Sequence, residues 1–82
     1  LMALGETHDA DWRDGAGEQV RWYQAAVAAA PKSAAAHNNL GEALNNKGDR
    51  EGAVASYQEA IRLDPKFAKA HNNLGVALRD KG

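Results

Sequence analysis

Two histidines stand in near-identical company: Ala36-His37-Asn38-Asn39-Leu40-Gly41 and Ala70-His71-Asn72-Asn73-Leu74-Gly75. An imidazole beside two amides offers a base or a metal ligand with hydrogen-bonding support. Metal binding needs ligands that converge on one point. His37 and His71 are separated by 71 − 37 = 34 residues, the chain has no cysteine, and His8 has no evident partner. No Ser/His/Asp or Cys/His set is present, and Gly15-Ala16-Gly17 lacks the strand context of a phosphate-binding loop. The chain therefore reads as non-enzymatic, without a metal or a cofactor. The histidines read as packing residues, facing a partner helix.

The elements that position these residues are helical. Alanine is abundant, β-branched residues are few and only two prolines occur in the 82 residues. Leu40, Gly41 and Leu44 share one helical face; Val54, Tyr57, Ala60 and Ile61 share another. The pattern predicts helices, and the repeat frame set out below places five of them, near 1–11, 17–30, 34–47, 50–63 and 68–80. Ser33 and Asp49 are suited to N-cap the third and fourth. Asp64-Pro65 stops the fourth, because proline disfavours helix in the residue before it. Phe67 has no capping oxygen.

Bulk properties narrow the partners. A formal net charge of −1 gives no electrostatic footprint for nucleic acid or anionic lipid. The longest apolar run, Ala25 to Ala30, is far too short to span a bilayer. No stretch has the form of a signal peptide. The compartment stays open, with the cytoplasm favoured. The first residue is Leu1 rather than Met, which suggests a segment of something longer.

The 34-residue spacing is that of a helix–turn–helix repeat. Residues 34–67 carry its frame: Leu40-Gly41, then Ala53-x₃-Tyr57, then Pro65, with His37 and Leu44 in the two aromatic slots of the first helix. Leu74-Gly75 restarts the unit, and Tyr23 precedes Pro31 by the same eight residues that separate Tyr57 from Pro65. On these residues the chain resembles the tetratricopeptide repeat family. The resemblance implies an all-α, right-handed α-solenoid of antiparallel helix pairs, A and B, about two and a half units long. Those units are an irregular, truncated one over 1–33, a complete one over 34–67, and a third helix A over 68–82. Leu40, Gly41, Ala53, Tyr57, Pro65, Leu74 and Gly75 are then structural repeat positions, with Ala53 seated against Gly41 where helices A and B cross. Gln19 replaces the small residue of the first unit.

The family's A helices line a concave groove. On a helical wheel Ala35, Asn39, Glu42 and Asn46 point away from the Leu40/Leu44 face, and Lys69, Asn73, Val76 and Asp80 are their counterparts. Asn38, Asn45, Asn72 and Arg79 lie on the flank. The expected peptide-binding residues are Asn39, Glu42, Asn46, Lys69 and Asn73. An amide both donates and accepts, so one Asn per repeat can hold an extended peptide backbone without reading its sequence.

The HNNLG spelling is similar to the arm of protein O-linked N-acetylglucosamine transferases, where asparagines hold substrate peptide, and to many bacterial repeat proteins. The co-chaperone clamp for C-terminal carboxylates fits less well. Asn39 and Lys69 match it, but Met2 and Glu6 occupy the first-helix slots, Asn73 replaces an Arg, and Glu6 repels a carboxylate. The expected function is a non-catalytic protein–protein interaction scaffold that takes an extended peptide or partner in its groove. A substrate-recruiting arm of a larger glycosyltransferase or kinase is the first alternative. A self-assembly module acting through open solenoid ends, including an uncovered third A helix, is the second.

Overall fold

The structure, a computed structural model, describes residues 17–81. The helix expected near 1–11, with Met2, Leu4, Gly5 and Glu6, lies outside the described residues. Four helices follow one another: α1 over 17–29, α2 over Ala34–Lys47, α3 over Arg50–Leu63 and α4 over Ala68–Lys81. No strand occurs among the described residues. α2 and α3 have the bounds that the sequence predicts, and α1 and α4 differ from expectation by one residue.

The boundaries have local chemical causes. Ser33 sits in extended backbone and its hydroxyl accepts from the Ala36 N–H at 3.1 Å, so one orphan donor of the first turn of α2 is satisfied. At the other end Gly48 adopts φ 101°, a left-handed conformation that glycine enters freely. Its N–H donates to the Asn45 carbonyl at 3.0 Å while the Asp49 N–H donates to the Leu44 carbonyl at 2.8 Å. This is the Schellman arrangement that closes a helix. Asp49 then caps α3, its Oδ1 accepting from the Gly52 N–H at 2.9 Å. A two-residue connection of this kind forces α2 and α3 to run antiparallel.

The core is made largely of small side chains. Ala43, Ala53, Ala60, Ala70 and Ala77 are buried, and Tyr57 is the one large apolar side chain buried with them on α2, α3 and α4. Ala53, Tyr57 and Ala77 form the central cluster, with Leu44, Val54 and Leu74 packed against it. Alanine lets helix axes approach closely, and Tyr57 fills the remaining volume. α3 packs on both α2 and α4, and α2 also touches α4. α1 contributes the buried Val20 but leaves Trp22 exposed, and its Tyr23 is 36% exposed where the corresponding Tyr57 is 2% exposed.

Candidate functional site

The glycine in HNNLG has a definite partner. A Cβ on Gly41 would stand 2.5 Å from Cε1 and 2.6 Å from Cδ1 of Tyr57. The aromatic ring of α3 therefore lies against Gly41 at the crossing point to which the repeat pattern assigns Ala53. Ala53 is fully buried beside it in the same cluster. Tyr57 lies one turn further along α3, and its ring reaches back over Gly41 in keeping with the N-terminal tilt of helical side chains. Burial, and secondarily the charge of Glu42, raise the Tyr57 phenol above its ordinary pKa of 10.0, because both disfavour the phenolate.

Each histidine also makes a hydrogen bond that packing alone does not predict. His37 Nε2 donates to the Pro31 carbonyl at 2.9 Å, and His71 Nε2 donates to the Pro65 carbonyl at 2.8 Å. A carbonyl only accepts, so Nε2 carries the proton in both. Each imidazole thus ties the first turn of an A helix to the turn before it, six residues back. His71 is exposed and His37 half-buried. No group of three His, Cys, Asp or Glu able to hold a metal occurs among the described residues.

The amides are where the two A helices meet. Asn73 Nδ2 donates to Asn38 Oδ1 at 3.0 Å and to Glu42 Oε2 at 3.1 Å. Lys69 Nζ lies 3.6 Å from the same Glu42 oxygen, with 63% of the Lys69 side chain and 38% of the Glu42 side chain exposed. Of the five expected groove residues, then, Glu42, Lys69 and Asn73 come together in one polar cluster between α2 and α4. Asn39 is half-buried and Asn46 is exposed, and neither takes part in that cluster.

Asn38 was expected on the flank. It is 1% exposed, a buried amide under α4. A single-helix wheel misses it because its cover comes from a helix 35 residues further along. Its counterpart Asn72 is exposed, as are Val76 and Arg79.

The cluster fixes the sense of the Asn73 amide. The Glu42 carboxylate only accepts, so the NH₂ end of Asn73 faces it. Both N–H groups are then committed, one to Glu42 and one to Asn38, and the Oδ1 carbonyl is the end left for another group. Lys69 retains donors beyond the one directed at Glu42. The other charge pair with close geometry, Arg62 with Glu59 on α3, is bidentate, with Nε to Oε1 at 2.9 Å. It holds the Glu59 carboxyl below its usual range, first through that hydrogen bond.

Comparison with known families agrees with this architecture. A model of the TPR repeat matches residues 41–82, just over half of the chain. The chain belongs to the tetratricopeptide repeat family. Its matched part runs from Gly41, at the α2/α3 crossing, through α4. No curated protein matches it. Tetratricopeptide repeats generally mediate protein–protein interaction and are typically non-catalytic modules. No helix among the described residues is long and apolar enough to cross a membrane.

Proposed function

We propose that this tetratricopeptide chain is a scaffold segment that binds an extended peptide along the α2/α4 face, with Asn39, Glu42, Asn46, Lys69 and Asn73 lining the groove. The observation that carries this reading is the split of polar roles at the Glu42 cluster. Asn73 offers an acceptor, and Lys69 offers donors one turn away on the same helix. In an extended chain the N–H and C=O of one residue point to the same side. The pair can therefore engage both groups of a single residue and leave the peptide side chain unread. Asn39 repeats the Asn73 position on α2 and extends the same line.

The test is a random-peptide display selection on the immobilised chain, followed by anisotropy titration of a selected peptide. Asn39→Ala combined with Lys69→Ala is expected to weaken binding at least tenfold while the thermal melt stays within a few degrees. Equal affinity for wild type and variant would overturn the groove. Asn73 is left intact here because it also bridges the repeats.

A further inference from the structure

The two ends of the Asn73 amide stand in different settings. Its Nδ2 lies 3.1 Å from Glu42 Oε2 and 3.0 Å from Oδ1 of the buried Asn38. Both partners are oxygens, one of them charged. Its Oδ1 accepts no hydrogen bond among the described residues. Asn39, at the same position on α2, has no such pair of acceptors beneath it among the described residues.

The two ends of an amide are nearly alike in shape, so an unheld Asn can turn either one toward a ligand. Asn73 cannot do so at equal cost. Turning its carbonyl inward would break both hydrogen bonds and set its oxygen against a carboxylate and a buried carbonyl. Glu42 also holds the Lys69 ammonium, 3.6 Å from the same oxygen. One carboxylate on α2 thus arranges both of the groups that the proposed groove offers on α4.

We propose that Glu42 is a positioning residue that makes the Asn73 subsite selective for a backbone N–H. The inference rests on the peptide-groove reading and adds a selectivity to it. With its nitrogen committed, Asn73 presents only an acceptor, and the peptide residue seated there must donate. Proline has no N–H, so this subsite rejects proline, and it rejects an N-methylated residue for the same reason. The partner is then an extended segment of open sequence with one position closed to proline. Glu42 exerts this from the neighbouring repeat, 31 residues before the amide that it orients.

The test is an amide-to-ester scan of a display-selected peptide, titrated against the full chain by anisotropy. Each ester removes one backbone N–H and keeps the chain extended. Against wild type, one position is expected to lose affinity by about tenfold, the loss of one well-placed hydrogen bond, and proline at that position is expected to bind no better. The Glu42→Gln side chain can donate as well as accept, so Asn73 is released to turn. There the same ester is expected to cost less than about threefold, while penalties at the other positions keep their wild-type values. Each penalty is a ratio within one chain, so a general change in affinity or stability cancels. An equal penalty in wild type and Glu42→Gln would overturn the inference, as would a wild type with no sensitive position. Failure of the groove itself reads differently: the unmodified peptide then binds the Asn39→Ala, Lys69→Ala chain as tightly as wild type. Nitrogen-edited NMR checks the same point without a substitution at Glu42. Both Asn73 Nδ2 protons are expected to exchange slowly with solvent, and fast exchange of either would overturn the assignment.

Discussion

The ring of Tyr57 lies across the backbone of Gly41, leaving no room for a Cβ between α2 and α3. Glycine inside a helix is destabilising by about 1 kcal/mol relative to alanine. At Gly41 the close crossing offsets that loss; at Gly75, where nothing stands within 4 Å, no such contact exists.

The two glycines therefore respond to the same substitution with opposite signs. Gly75→Ala is expected to stabilise by about 0.5–1 kcal/mol through helix propensity. Gly41→Ala gains the same propensity but meets the Tyr57 ring, and overpacking of about 1–3 kcal/mol leaves it destabilised by up to about 2 kcal/mol. Thermal melts of the two variants decide the matter. A shift in the same direction for both would mean that the ring is not what requires glycine at position 41.

Asn73 and Lys69 both approach Glu42, yet their removal differs in consequence. Asn73→Ala strips the buried Asn38 carbonyl of its donor. A buried acceptor left unsatisfied costs about 1–3 kcal/mol. Lys69→Ala removes a mostly exposed ion pair and is expected to change stability by less than about 1 kcal/mol. Urea denaturation measures both. A double-mutant cycle with Asn38→Ala is expected to show coupling to Asn73 of more than about 0.5 kcal/mol, and additivity there would argue against the bridge.

Alkaline pH acts through Tyr57. Its folded-state pKa is raised above 10.0, by burial first and by Glu42 second. Below pH 10 the phenol is protonated in folded and unfolded chains alike, and its contribution is fully present. Above that, the unfolded chain releases a proton that the folded chain keeps, so stability falls as pH climbs toward the folded-state value. The loss is at most about 1.4 kcal/mol per pH unit. Urea midpoints between pH 9 and 11 are expected to fall more steeply for wild type than for Tyr57→Phe, and parallel curves would refute the assignment.

Helix ends were legible because the residues that make them act locally. Ser33, Gly48, Asp49 and Pro65 each set a boundary through atoms within a few positions of themselves. The repeat frame was legible because its period is long and its marks are spaced.

What the pattern did not contain was the rotation of one helix against another. Ala53 and Tyr57 both belong to the buried side of α3, and only the crossing geometry brings the Tyr57 ring onto Gly41. Asn38 shows the same limit for three bodies, since its burial depends on where α4 passes over α2. The histidines were placed in the right slot, but their bond to a proline carbonyl depends on how the preceding turn folds back. The proposed groove residues Glu42, Lys69 and Asn73 are neighbours in space, but a single-helix wheel carries no sign that Asn73 hydrogen-bonds to Glu42, or that Lys69 pairs with it, across the repeats.

The longest-range hydrogen bond among the described side chains joins Asn73 to Asn38, 35 residues apart. α3 packs on both of its neighbours, and α2 reaches past it to touch α4. Tension applied along α2, α3 and α4 would thus load that bridge as well as the joints between successive helices. The molecule is expected to yield one helix after the next, each step bearing the contacts to the adjacent helix and the polar clasp to the helix beyond it.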